Sequence, residues 1–407
     1  MKSLSSRARG ISPSPTVAVD ARYKELLAAG RDVVSLGAGE PDLPMPGAGL
    51  EAAVRALRDG KTRYAHMAGL PELRAALSLK FARENGIRHT AEEIIVTSGA
   101  KQAVFTALTA LLDPGDEVIV PSPFWVTYPE AVRLLGGVPV EVATRFEDGF
   151  RMTPEALRAA ITPRTKLVLI NSPGNPTGAV YSRAELEALA AVIVEHDLFV
   201  LSDEIYEHIT YGDATHVSPA ALSPAMAART ATINGFSKAF AMQGLRLGYV
   251  GAPAAWAKAM VAVQSHAAHH PSTISQHAAL ACLEASDDIL PAMRAHYAEA
   301  RTYALARLSA LRDLGVRWNE PDGAFYVFLA VDGLLPSTVR DGAGTVRTLT
   351  TSVHLAEYLL DEQGLVTVPG LGFGREGYLR LSFANSVKVL AEGFDRLERG
   401  LRALAHA

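Results

Sequence analysis

A lysine that follows an apolar strand and is boxed by small residues is poorly placed to be an ordinary solvated charge. Lys238, in Asn234-Gly235-Phe236-Ser237-Lys238, is such a residue. Two readings stand for it. One is a surface charge at a strand end. The other is an amine whose pKa is lowered by partial burial and neighbouring cations, so that it can attack a carbonyl and hold it as a Schiff base. Arg246 lies eight residues on, in Gly244-Leu245-Arg246-Leu247-Gly248-Tyr249. A guanidinium there can grip a phosphate through paired hydrogen bonds, and the flanking glycines let backbone approach.

Four further pieces carry polar groups to places where chemistry is possible. Asn171-Ser172-Pro173-Gly174-Asn175-Pro176-Thr177-Gly178 has two prolines and two glycines in eight residues, the signature of a defined loop. Asn175, held extended before Pro176, is either part of a tight turn or an amide donor aimed at a ligand oxygen. Ser202-Asp203-Glu204-Ile205-Tyr206 closes an apolar run. Asp203 is either a helix cap or the counter-ion of a protonated ring nitrogen, which would make the ring an electron sink, and Tyr206 could then donate to the oxygen of the same ring. Thr97-Ser98-Gly99-Ala100-Lys101-Gln102 puts small residues at a helix start, where free N–H groups and the positive dipole end suit an anion. Arg380 sits inside the apolar run Tyr378–Ser382. A charge there is costly unless paired, so it is either an internal ion pair or a clamp for a substrate carboxylate.

These motifs need a scaffold, and the middle of the chain supplies a pattern for one. Ile94–Thr97, Glu117–Val120, Lys166–Ile170, Leu198–Leu201, Thr230–Ile233 and Leu247–Val250 are short apolar runs of strand character. Helical patterns at Lys101–Leu112, Glu130–Leu135 and Arg183–His196 fall between them. Such alternation predicts an α/β fold with a mostly parallel, doubly wound sheet, whose ligands bind beyond the carboxyl ends of the strands. The flanks differ. Residues 1–45 are loop-rich with a helix near Thr16–Ala29, and residues 290–407 carry a long helix, short strands at Ala324–Leu329 and Tyr378–Ser382, and a closing helix. The expected division is therefore 46–289 for a large domain, with 1–45 and 290–407 forming a smaller α+β domain from both chain ends. Val331–Thr351, rich in Gly, Ser and Thr, is expected to be a surface loop.

Bulk properties exclude several function classes. A length of 407 residues is too long for one small core, and a net charge of -4 gives no electrostatic footprint for nucleic acid. The single cysteine, Cys282, rules out an internal disulfide or a thiolate metal cluster. Met1–Gly10 is basic without an apolar run, and no uncharged apolar stretch reaches membrane-spanning length, so neither a signal peptide nor a membrane anchor is expected, and a cytoplasmic protein is.

From about Val33 to the C-terminus the chain resembles the fold-type I pyridoxal-phosphate aminotransferases, class I/II. It looks closest to the bacterial subgroup of aspartate aminotransferases that also accept prephenate. The Asn175 loop, the Ser202–Tyr206 run and the Lys238–Arg246 block carry the resemblance. So do Ser35-Leu36-Gly37-Ala38-Gly39-Glu40-Pro41-Asp42, Gly69-Leu70-Pro71-Glu72-Leu73-Arg74, Leu112-Asp113-Pro114-Gly115-Asp116-Glu117-Val118 and Asp322-Gly323-Ala324-Phe325-Tyr326. The resemblance implies an aminotransferase-like large domain with a seven-stranded sheet, pyridoxal 5′-phosphate as cofactor, and exchange of an amino group between an L-amino acid and a 2-oxo acid by a ping-pong mechanism. By resemblance, Lys238 is the Schiff-base lysine and proton carrier, Asp203 faces the ring nitrogen, and Asn175 and Tyr206 bind the ring hydroxyl. Trp125 stacks on the ring. Gly99, Ala100, Lys101, Ser237 and Arg246 fall at or beside the phosphate. Gly39, Trp125, Asn175 and Arg380 hold the α-carboxylate. Tyr64 matches a tyrosine that reaches the phosphate of a neighbouring subunit, which implies a homodimer with shared sites.

Thr16 and Lys101 match the aspartate/prephenate subgroup, and Lys101 would receive a distal carboxylate of aspartate, glutamate or prephenate. The chain departs from the family in Leu43-Pro44-Met45-Pro46-Gly47, at Met67, and in Ser265-His266-Ala267-Ala268-His269-His270-Pro271, where relatives carry Ser, Thr and Asn. That last segment lines the partner's site in the family, so its imidazoles are expected to shift specificity. A metal site there is not expected, since no acidic partner is near in sequence. Aminotransferases for aromatic, basic or specialised-metabolite substrates stay open, as do a lyase, a decarboxylase or a cyclopropane-forming synthase that would keep every cofactor residue. A cofactor-free homologue is disfavoured by the intact cofactor positions. A transcription regulator with an aminotransferase-like domain is disfavoured because the match begins by residue 33.

Overall fold

Seven strands form one sheet in the order Ile94–Thr97, Gly248–Gly251, Thr230–Gly235, Phe199–Asp203, Thr165–Asn171, Glu117–Ser122, Val138–Ala143. The computed structural model that shows this describes residues 4–13, 15–340 and 346–405. Gly248–Gly251 runs antiparallel to both neighbours, and every other pair in the sheet is parallel. Side chains alternate between the two faces with period two. Val118, Val120, Leu167, Leu169 and Leu201 pack on one face with the helices Ala100–Leu111 and Ala254–Ala267. Ile119, Val168, Ile170 and Val200 pack on the other with Pro154–Ala160 and Arg183–Glu195. The Arg183–Glu195 helix starts where Ser182 and Glu185 form a reciprocal capping box, the Ser182 hydroxyl accepting from the Glu185 N–H and the Glu185 carboxylate from the Ser182 N–H.

Six of the seven strands coincide with the apolar runs of the sequence. The seventh, Val138–Ala143, did not stand out. It lies at the sheet edge, where only Val142 is fully buried and Pro139 and Glu141 break the apolar pattern.

The two flanks of the chain meet. Val34–Ser35 pairs in parallel with Leu365–Val366, which ties the two ends of the chain together. A second, antiparallel sheet has the order Val368–Pro369, Tyr378–Ser382, Tyr326–Ala330. It shares a core with the helices Ser286–Ser309, Ser352–Gln363 and Val387–Ala405 through Tyr297, Leu308, Leu355, Leu359, Leu397 and Leu401. The Ser286–Ser309 helix carries the chain between cores: Leu290 packs with Phe81 and Cys282, and Met293 and Tyr297 with the second sheet. We propose 46–289 and 1–45 with 290–407 as the working division.

The surface loop expected at Val331–Thr351 is corrected by the structure. Ser337–Arg340 and Val346–Leu349 pair as antiparallel strands, with Val339 opposite Arg347 and Ser337 opposite Leu349. Buried Val339 and Leu349 anchor the hairpin to the core, so β-branched and apolar residues outweigh the Ser/Thr-rich composition. Residues 341–345 lie outside the described residues.

Candidate active site

The carboxyl ends of the parallel strands open into a cavity of about 480 Å³. Asn171 and Asp203 enter it from strand ends, and Ser237 and Lys238 from the turn after Thr230–Gly235. This is where an open α/β sheet binds ligands. Gly37, Gly39, Tyr326 and Arg380 close it from the second sheet and the segment beside it.

Asp203 is buried at the cavity floor. Tyr128 Oη donates to its Oδ2 at 2.8 Å and the Ile205 N–H to its Oδ1 at 3.2 Å. Burial pushes its carboxyl up to about 6, against the pull of those two donors. Lys238 is half-buried, and its Nζ donates to the Gly39 carbonyl. The amine sits 5.8 Å from the Tyr206 ring centre and 5.6 Å from that of Phe325. Burial first, and then the charge of Arg380, lower it to about 8. Of the two readings for Lys238, the solvated surface charge is therefore not the one the fold realises.

Arg380 is 3% exposed at the middle of its strand. Its Nη1 donates to Asn175 Oδ1 at 3.0 Å and its Nη2 to the Gly37 carbonyl at 2.7 Å. The guanidinium lies 4.4 Å from the Tyr326 ring centre and 5.0 Å from that of Phe373. Among the described residues no carboxylate pairs with it, and Nε has no partner. The internal ion pair weighed from the sequence is absent among them. Asn175 is fixed in turn by its own N–H, which donates to Asn171 Oδ1 at 2.9 Å, while Asn171 Nδ2 donates to the Asp203 carbonyl at 3.0 Å. The Asn175 loop is thus keyed to the end of the strand that carries Asp203. Tyr206 and Tyr326 share a hydroxyl–hydroxyl hydrogen bond of 2.8 Å.

The other end of the cavity is built for an anion. Gly99 has φ +90°, and a Cβ there would lie 2.5 Å from Arg246 Nη2, so only glycine lets the arginine come so close. The Ala100–Leu111 helix begins at the next residue and directs its N-terminus toward the same space. Ala100, Lys101, Ser237 and Arg246 all line the cavity. Lys101 Nζ stands 5.1 Å from the Trp125 ring centre. Thr16 lines the mouth from the Pro15–Ala28 helix, and Gly39 faces Tyr326, whose Oη would lie 2.8 Å from a Cβ on it.

Every site residue expected from the sequence therefore converges on the cavity or its rim except Tyr64. That side chain is 86% exposed and packs edge-on against His269, with ring centres 4.8 Å apart. His266 is exposed, and none of the three histidines lines the cavity of this chain. The sequence reading missed Tyr128 and Asn171, which orient Asp203 and Asn175, and gave no role to Tyr326, Gly37 or Phe373. Tyr128 and Asn171 carried a weak signal, as polar residues beside a strand end. Tyr326 lay in the motif Asp322–Tyr326 without any local hint of its partners.

A family model described as aminotransferase class I and II matches residues 31–397. The aspartate/prephenate aminotransferase of Thermus thermophilus is 48% identical over 404 residues, 98% of this chain and 99% of the relative. A solved aspartate aminotransferase from Thermus thermophilus with maleate superposes with a TM-score of 0.90 at 48% identity, covering 98% of this chain and 100% of that one. The aspartate aminotransferase from Rhizobium meliloti gives 0.93 at 40% identity, covering 99% and 100%.

Proposed function

The chain belongs to the class I and II aminotransferases, and on that footing we propose that it uses pyridoxal 5′-phosphate to move an amino group between L-aspartate or L-glutamate and a 2-oxo acid, prephenate among the acceptors. The observation that carries the reading is the set of charges around one cavity, buried Asp203 and Arg380 and half-buried Lys238, none paired with an opposite charge among the described residues.

The donor set fits the cofactor. An anion end made of a helix N-terminus, the Ser237 hydroxyl and Arg246 suits a phosphate dianion. A carboxylate at the floor suits a protonated ring nitrogen, and an amine lowered to about 8 suits a carbonyl. Bound there, the group supplies a ring that accepts the electron pair left by Cα–H cleavage and carries the amino group between the two halves of the reaction.

The residues of the chain do the rest. Arg380 is held as a fork by Asn175 and Gly37 and stacked on Tyr326, so it meets the α-carboxylate pre-oriented. Asn175 Oδ1 accepts from Arg380, which leaves its Nδ2 as a donor toward the ring oxygen. Asp203 is ionised at neutral pH, and Tyr128 fixes which way its carboxylate faces. With its amine lowered to about 8, Lys238 is partly neutral near pH 8 and would take the proton from the substrate Cα and hold it for return. Trp125 covers the cavity, and Lys101 above it offers a cation to a distal carboxylate. Tyr64 is offered to the phosphate of a second copy, giving a homodimer with shared sites. No described helix is long and apolar enough to cross a membrane. We place the enzyme in the cytoplasm.

Steady-state kinetics with L-aspartate and 2-oxoglutarate test the reading. Parallel double-reciprocal lines are expected. Intersecting lines, or turnover of aromatic amino acids alone, would overturn the mechanism or the substrate class respectively.

A further inference from the structure

The loop over residues 61–70 carries Tyr64 outward, and its backbone is laced to residues 264–276. Thr273 Oγ1 donates to the Lys61 carbonyl, Gln264 Nε2 donates to the Met67 carbonyl at 2.8 Å, and Gln276 Oε1 accepts from the Leu70 N–H at 2.7 Å. Beside Tyr64 itself the tie is His270, whose Nε2 accepts from the Ala65 N–H at 2.8 Å. His270 Nδ1 lies 2.8 Å from the Pro271 carbonyl. A carbonyl only accepts and an amide N–H only donates, so both contacts are met by the neutral tautomer with its proton on Nδ1.

The neighbouring histidine completes the cradle. The Ala254–Ala267 helix ends as the Ala268 and His269 N–H groups both return to the Gln264 carbonyl, at 3.1 and 2.9 Å. His269 then takes a left-handed conformation, φ +58°, which turns its ring onto Tyr64. The Tyr64 ring stands edge-on to both imidazoles, with centres 4.8 Å from His269 and 5.9 Å from His270. A tyrosine that is 86% exposed has many rotamers open to it. Fixing the backbone on one side and packing two rings against it removes most of that freedom before any ligand is met.

We infer that His270, with His269 beside it, is a positioning residue that holds Tyr64 ready for the cofactor phosphate bound by a second copy of this chain. This rests on the proposed cross-subunit role of Tyr64. In that role the two histidines act through the tyrosine.

The test uses the full-length holoenzyme and reads pyridoxal 5′-phosphate affinity together with hydrogen exchange at the Ala65 amide. His270→Ala should weaken cofactor binding about fivefold, the scale of one hydrogen bond, and speed exchange at Ala65. His270→Gln, which can accept from Ala65 and donate to Pro271, should restore both. His270→Phe, which keeps a ring but no acceptor, should not. If the alanine variant fails to fold, the glutamine and phenylalanine pair gives the same comparison. Tyr64→Phe should weaken binding, and adding His270→Ala to it should cost no more, because the histidine acts through the tyrosine. If Tyr64→Phe weakens binding and the His270 variants do not, or if the two effects add, the inference falls while the shared site stands. If Tyr64→Phe leaves affinity unchanged, the shared-site reading falls and the inference with it.

Discussion

Asp203 and Glu204 are neighbours at one strand end, both buried, and they face opposite sides of the chain into two very different clusters. Glu204 enters a network that satisfies itself. It accepts from Ser202 Oγ at 2.7 Å and Ser218 Oγ at 2.5 Å, and pairs with His216 Nε2 at 2.8 Å. Next to it Lys80 donates to Glu207 and to Asn85 Oδ1, and Asn85 Nδ2 donates to Glu207 at 2.6 Å. Against the cost of burial, Lys80 and His208 hold the Glu207 carboxyl well below the usual carboxylate range. Burial opposes it too, yet Glu204 raises the His216 imidazole. Glu204, Glu207 and His216 lie close enough to share a cation, but Lys80, Asn85 and Ser218 already occupy their acceptors. On the other side, buried Asp203 and Arg380 and half-buried Lys238 meet only neutral partners. The same residue types thus serve two ends. Where charges cancel among themselves they hold the fold, and where they are left uncancelled around a cavity they are held ready for a charged ligand.

Breaking each side should give different signatures. Lys238→Ala is expected to reduce amino transfer by several orders of magnitude while the denaturant midpoint of the apoprotein holds or rises, which paired rate and unfolding measurements check. Lys80→Met leaves Glu207 buried without its cation. It should cost about 3–5 kcal/mol of stability in urea unfolding, with kcat per folded site little changed. Arg380→Leu should do the reverse, raising KM for the amino acid roughly 100-fold through the lost carboxylate clamp at little cost in stability.

The smallest effect sharpens the comparison through pH. The Asp203 carboxyl is raised to about 6 by burial, so the folded apoprotein binds that proton more tightly than the unfolded chain does. Its contribution to stability is full below the unfolded pKa and is lost as pH rises through about 6. Asp203→Asn should therefore stabilise the apoprotein above pH 6 by on the order of 1–3 kcal/mol, seen as a higher urea midpoint at pH 8 and little change at pH 4. A lower midpoint at pH 8 would place Asp203 on the satisfied side of the comparison.

How much of this was legible in the sequence follows the range of the interactions. Central strands such as Thr165–Asn171 and Phe199–Asp203 are buried on both faces and read as apolar runs, whereas the exposed edge strand Val138–Ala143 carries no such run. Asp203 ends one strand and Asn175 and Lys238 lie within four residues of the ends of two others, so their placement followed from the strands. Arg380 stood out because a buried strand is an expensive place for a charge. Tyr128 at Asp203, Gly37 at Arg380 and Tyr326 at Tyr206 are matched only by the fold, as are Ala65 and His270, which lie 205 residues apart. The hairpin within 331–351 was hidden by its Gly, Ser and Thr content, which local propensity reads as loop.

The most direct test is a half-reaction without a second substrate. The chain, reconstituted with pyridoxal 5′-phosphate, is mixed with L-aspartate or L-glutamate, and the visible absorbance and the 2-oxo acid released are followed together. The account predicts a single turnover: one 2-oxo acid per site, accompanied by a shift of the cofactor band that a 2-oxo acid then reverses. A protein that stays colourless after reconstitution, or one that binds the cofactor yet releases no 2-oxo acid from either amino acid, would contradict it.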